Sequence, residues 1–264
     1  MSTSRRVGRG LAVLTYHSLA SRRSVTATEP PWFAETLAAL HAAGFHGVDL
    51  GDWVARGRPD EPDGYALAFD DGLRSVLDVA EVVAAYRVPA TVFVVSDRVG
   101  ADNSWEGQPS WVARERLLDW SELETLARLG FRFGAHGRTH LRLDGLDPTR
   151  LDDELRGSRD AIEQRIGESC PLLAYPYGVA PPRVRRAASR HFAAAFGTRL
   201  DYATDSQGPF NLGRIDAYYL DSRLTLGALV RDRWRSRLRL RRALRAVKGL
   251  SSVGSLRRPA GSAA

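Results

Sequence analysis

The chain has 264 residues but one cysteine, Cys170, and no run of eighteen apolar residues. The first excludes an internal disulfide and suits a reducing compartment. The second excludes a membrane-spanning helix. A signal-peptide core is lacking too: behind Arg5, Arg6 and Arg9 the apolar segment covers only residues 11–14 before Tyr16-His17 interrupts it, so the expectation is a cytoplasmic protein. Neither an internal repeat nor a low-complexity stretch breaks up the body of the chain. What is present, with 44% hydrophobic residues, suffices for one large domain with a substantial core.

Charge is divided unevenly. The formal net charge is +7, but residues 231–264 carry eleven Arg or Lys against the single acid Asp232, which makes that tail +10 and everything before it −3. We therefore expect two units, a body over residues 1–222 and a basic segment over residues 223–264. In the latter Leu226, Val230, Trp234, Leu238, Leu240 and Leu244 recur at partly helical spacing among the arginines. Such a helix fits peripheral contact with an anionic membrane or simple packing with solvated arginines. Nucleic acid ranks behind both.

In the body, apolar strand-like runs alternate with helical patterns. Strands are expected at residues 11–17, 45–50, 65–69, 90–95, 131–135, 172–175, 192–196 and 212–220. Helices are expected at 30–43, 74–86, from a Ser121–Glu124 capping box to Gly130, 147–166 and 182–190. This alternation argues an α/β domain with a parallel sheet or barrel. The residues with chemical potential all follow strands: His17, Asp70-Asp71, His136 with His140, and Tyr177. In α/β barrels the C-terminal ends of the strands form the active-site face.

At residues 65–72 an apolar run ends in Asp70-Asp71-Gly72. Alone this reads as a strand-end turn, since Asp and Gly are turn residues. If the turn brings both carboxylates to one cleft, one can hold a metal while the other takes a proton from water. His136-Gly-Arg-Thr-His140 sets two imidazoles four apart, on one face if the segment is helical. A lone pair so spaced is more often structural. Joined to the Asp pair it reads as a His-His-Asp site with open positions for water and substrate.

Phe-Asp-Asp-Gly at 69–72, the histidines at 136 and 140, and Tyr-Pro-Tyr-Gly at 175–178 occur in one order. Together they resemble the polysaccharide deacetylases, carbohydrate esterase family four, over roughly residues 10–222; Leu-Thr-Tyr-His-Ser at 14–18 resembles the subgroup with an N-terminal Tyr-His strand. The resemblance implies a deformed (β/α) barrel and metal-dependent removal of acetyl groups from N-acetylated sugars. It assigns Asp71, His136 and His140 to a divalent metal, zinc first, and Asp70 to general-base work. It sets an oxyanion against a backbone N–H near Pro176 and Tyr177.

Two departures stand out. Ala174 occupies the position where many relatives carry an arginine that partners the base, which leaves Arg214 as a candidate from elsewhere. No histidine follows His191, so the late acid motif is absent and His17 becomes the candidate acid. Trp105 and Trp111 in the long loop at 97–116 are candidates for stacking on sugar or for anchoring the loop. Arg138 is either a solvated surface residue or a phosphate contact, and His41, His46 and His191 read as structural. The expected substrate is an N-acetylated sugar or glycan of polysaccharide or glycolipid assembly. The alternatives are an O-acetyl esterase and a non-catalytic sugar- or membrane-binding member.

Overall fold

A computed structural model describes residues 10–21, 24–220 and 222–230. The chain divides into two compact units, Met1–Asp221 and Ser222–Ala264. In the first unit the strands are β1 (Ala12–Tyr16), β2 (Ser18–Leu19), β3 (Ala27–Thr28), β4 (His46–Gly47), β5 (Gly64–Phe69), β6 (Ala90–Val94), β7 (Arg132–Ala135), β8 (Leu172–Ala174), β9 (Ala194–Leu200) and β10 (Leu212–Asp216). The helices there are α1 (Pro30–Ala42), α2 (Leu50–Ala55), α3 (Leu77–Ala85), α4 (Trp120–Arg128), α5 (Pro148–Asp152), α6 (Ser158–Ile166) and α7 (Pro182–Ala188).

Seven strands close a parallel barrel. Going round, β1 pairs with β10, then come β9, β8, β7, β6 and β5, and β5 returns to β1 through the register Ala12↔Tyr65 to Tyr16↔Phe69. The other edge of β5 takes the short β4 at its start and β6 at its end. Closure leaves these strands buried on both sides, so they read as continuous apolar runs rather than as alternating ones.

Alternation along each strand still decides which side chain goes where. One set, including Val13, Ala66, Ala68, Phe93, Leu172, Ala174, Ala194, Phe196 and Leu212, packs in one buried cluster. Its small members leave room for two rings, Phe93 and Phe196, whose centroids lie 5.9 Å apart. Gly134 makes the same allowance, because a Cβ there would come within 2.5 Å of the Phe93 ring. The alternate residues Tyr16 and Phe69 instead pack on Phe33 of α1, at 4.9 and 5.9 Å between centroids.

Several local expectations are corrected. The strand expected at 45–50 is only His46–Gly47, and the chain turns at once into α2, where Asp49 accepts a hydrogen bond from the Asp52 N–H at 2.8 Å. Gly51 and the six-residue length hid this helix. α4 starts two residues earlier than the Ser121 cap implied: Asp119 accepts from the Glu122 N–H and Glu122 accepts from the Asp119 N–H, at 3.0 and 2.9 Å. An aspartate two residues upstream is simply the better-placed cap. The helix expected at 147–166 forms with a π-helical segment, Asp153–Gly157, between α5 and α6.

In the second unit α8 spans Arg223–Val230. The rest of the expected basic helix, with Trp234, Leu238, Leu240 and Leu244, lies outside the described residues. No described helix is long and apolar enough to cross a membrane.

Candidate active site at the C-terminal end of the barrel

The inward alternation of β1, β5, β7 and β10 delivers the site, running past the strand ends in the first three. Positions 13 and 15 lead to His17, 66 and 68 to Asp70, 134 to His136, and 212 to Arg214 and Asp216. Asp70 is thus the next inward residue of its strand. Asp71 would face outward on a regular strand, but it adopts a left-handed φ of 70°, followed by Gly72 at 66°. That turn swings the second carboxylate back over the barrel, at a backbone cost of about 1 kcal/mol for a non-glycine residue.

The histidines are set otherwise than by a helix, which corrects the helical reading of their spacing. Residues 136–140 form a loop off β7, with Gly137 at φ 76° and His140 at φ 62°. The geometry nevertheless converges. The Nε2 atoms of His136 and His140 each lie 3.3 Å from Asp71 Oδ1, and one ligand atom from each of the three residues falls within 4.8 Å of the others.

His136 Nδ1–H donates to the Ala174 carbonyl at 2.7 Å, which orients the ring so that Nε2 faces Asp71. His140 is held by rings. Trp105, Tyr177 and His136 surround it at centroid distances of 4.1, 4.7 and 4.9 Å, and its buried Nδ1 has no partner among the described residues. Two imidazole nitrogens and one carboxylate oxygen, pre-aimed at one point with open positions beyond, fit a catalytic divalent metal. Their geometry does not select among metals.

Asp70 lies alongside, only 2% exposed. Arg214 Nη1 donates to its Oδ1 at 2.7 Å, while Arg214 Nε donates to the Gly197 carbonyl at 3.0 Å. The arginine missing at position 174 is therefore replaced from β10, two strands away in the barrel. The other oxygen, Oδ2, faces His17 Nε2 at 3.9 Å. Burial pushes the Asp70 carboxyl up, but the charges of Arg214, His136 and His17 and the Arg214 hydrogen bond together outweigh it and hold the group below its ordinary value.

Asp71 is held well below the carboxylate range: burial acts upward, and the hydrogen bonds from His136 and His140 override it. Burial lowers His140 more than Asp71 raises it, which favours the neutral imidazole. For His136 burial also acts downward, but Asp71 and Asp70 win and the net shift is upward.

Sequence reasoning missed Asp216. Its carboxylate lies near His17 and Arg214 and accepts from the Tyr218 N–H at 2.8 Å, while burial, the main influence, raises it. The signal was available in its parity with Arg214. Trp105 is 5% exposed and leans on His140, so it anchors the loop and offers no free face to a sugar; Trp111 is 63% exposed. The loop is tied across the site by Ser18 Oγ donating to Glu115 at 2.8 Å and Tyr177 Oη donating to the Glu106 carbonyl at 3.2 Å. Tyr177 has a left-handed φ of 58° beside buried Pro176. Arg138 is paired to Asp97 and Asp153 at 2.9 and 2.5 Å, His191 bonds Asp152 at 2.7 Å, and His41 packs on Tyr86.

The polysaccharide deacetylase family model matches residues 57–195, just over half of the chain and the part that carries the Asp pair, both loop histidines and the turn at 175–178. The chain belongs to the polysaccharide deacetylase family. Among curated proteins it is similar to the deacetylase-named YxkH of Bacillus subtilis (strain 168), 21% identical over 210 residues, covering 78% of this chain and 70% of that one.

Solved structures that share the fold include the following two. IcaB from Ammonifex degensii superposes with a TM-score of 0.69 at 22% identity, covering 86% of this chain and 97% of that one. Streptococcus pyogenes deacetylase PplD, in complex with acetate, gives 0.68 at 18%, covering 79% and 92%. Membership makes this chain a deacetylase-type hydrolase built on the deformed (β/α) barrel, as its motifs implied.

Proposed function

We propose that the chain removes the acetyl group from an N-acetylated sugar within a glycan, using a divalent metal, zinc first, held by Asp71, His136 and His140. The observation that carries this reading is the approach of both Nε2 atoms to one Asp71 oxygen at 3.3 Å with a second, differently partnered carboxylate beside it. When bound, the metal polarises the acetyl carbonyl and acidifies its water.

The chain's own groups divide the proton work. Asp70 Oδ1 is occupied by Arg214, which leaves Oδ2 to take the proton from the attacking water. His17, on the Oδ2 side, gives a proton to the departing amine. The Tyr177 N–H, presented by its left-handed turn at Pro176-Tyr177, supports the developing oxyanion. Arg214 keeps Asp70 ionised and fixes which oxygen is free. Trp105 holds His140 in place, and residues 1–222 form the catalytic unit, with residues 223–264 an accessory basic segment.

The test is acetate release from chitin oligomers and from acetylated xylan, before and after chelation and after return of zinc or cobalt. Turnover of the N-acetyl substrate that is lost on chelation and restored by metal supports the reading. Turnover of xylan alone makes the chain an O-acetyl esterase, and no turnover of either substrate contradicts it.

A second experiment isolates His17. An amine must be protonated to leave, whereas an aryl alcohol leaves as its anion. His17→Ala is therefore expected to lower amide deacetylation by about 10²-fold or more while sparing hydrolysis of an aryl acetate. Equal losses on both substrates would remove His17 from the acid role.

A further inference from the structure

The loop that carries His136 and His140 is held by a residue that no motif includes. Glu154 lies in the π-helical segment Asp153–Gly157 and is 6% exposed. Its Oε2 accepts from two consecutive amides of the loop, Arg138 N–H at 2.8 Å and Thr139 N–H at 3.1 Å. Its Oε1 accepts from the Thr139 hydroxyl at 2.5 Å. The opposite side of the loop is pinned as well: the Ser96 and Asp97 N–H groups donate to the Gly137 and Arg138 carbonyls at 3.2 and 2.9 Å.

The Arg138 guanidinium closes the clamp by joining Asp97 to Asp153. Gly137 leaves room for this carboxylate, because a Cβ there would stand 3.0 Å from Glu154 Oε2. These bonds end one residue before His140, whose backbone is left-handed at φ 62°.

We propose that Glu154 is a positioning residue for the metal site: it fixes the backbone of residues 138–139 so that His140 Nε2 stays aimed at the same point as His136 Nε2 and Asp71. The inference rests on the metal reading of those three residues. π-helical segments recur at functional sites, and a backbone held by buried acceptors is one way to keep ligands within tenths of an ångström.

The experiment uses the full chain as Glu154→Ala, Glu154→Asp and Glu154→Gln. Zinc affinity is read by competition with a chromophoric chelator, and thermal unfolding of the metal-free proteins is read in parallel. Alanine removes all three acceptor contacts and aspartate withdraws them by one methylene, so both are expected to weaken zinc about tenfold or more. Glutamine can turn its oxygen to the two amides and its NH₂ to the Thr139 hydroxyl, so it is expected to stay within about threefold of the parent.

A merely structural role would lower the unfolding temperature of the metal-free protein and leave the affinity unmoved. Should alanine fail to fold, the contrast between Asp and Gln decides the matter. Alanine or aspartate variants that bind zinc as tightly as the parent would overturn the proposal and leave the metal site standing. A parent chain that takes up no zinc would overturn both.

Discussion

Asp70→Asn is expected to lower deacetylation by about 10²- to 10⁴-fold while leaving metal content unchanged. The amide keeps the shape of the side chain, and its oxygen can still accept from Arg214 Nη1, which now lies 2.7 Å from Asp70 Oδ1. What it loses is the basic lone pair at Oδ2, on the side of His17. The three metal-converging residues are not touched by the change, since their contacts run through Asp71. Aryl acetate hydrolysis should fall with amide hydrolysis, because both need the water activated; this separates the base from His17. An Asp70→Asn variant that keeps a tenth or more of parent activity would show that Asp70 is not the base.

The second large effect is expected from Arg214→Met. Arg214 and Asp70 are 5% and 3% exposed at their side chains, so removing the cation strands a buried carboxylate. Breaking such a pair costs about 3–5 kcal/mol. The pH consequence has a definite sign. Asp70 is depressed in the folded protein, so its contribution to stability is present above its unfolded value of about 3.9 and is lost as the pH falls through the folded one. Without Arg214 the largest influence opposing burial is gone, and the carboxyl rises. The acid limb of kcat/KM should therefore move to higher pH, read on an N-acetyl substrate across the acid range. Arg214→Met with Asp70→Asn should recover part of the lost stability, because no stranded charge remains. A limb that stays in place would show that Arg214 does not set the ionisation of Asp70.

The order in which these residues became legible follows the range of the interactions. Strands alternating with helices are a local pattern, and they sufficed for a parallel sheet or barrel, while the choice of barrel came from the resemblance carried by the motifs. His17, Asp70, Asp71, His136 and His140 were visible because each sits at a strand end or in a short motif. The shape of the histidine loop was not. A four-residue spacing suggests a helix, but Gly137 and the left-handed His140 make a turn that reaches the same convergence by another route. The identity of Asp70's partner was open in the sequence. Position 174 is alanine, and only closure of the barrel shows Arg214, 144 residues from Asp70, completing the pair. Ala174 meanwhile supplies the carbonyl that orients His136. Asp216 and Glu154 carry no motif, and their meaning comes from what the fold places beside them. Trp105 illustrates the reverse: a loop tryptophan suggests a sugar platform, yet this one is packed against a candidate ligand.

On the proposed function, Asp71, His136 and His140 form one metal centre on which deacetylation depends. The most direct test is metal per chain in the parent and in His136→Ala, each purified without a histidine tag or chelator and then reconstituted with zinc. We expect close to one equivalent in the parent and a loss of most of it in the variant, with acetate release falling in parallel. No metal in the parent after reconstitution, or equal metal in both proteins, would contradict it.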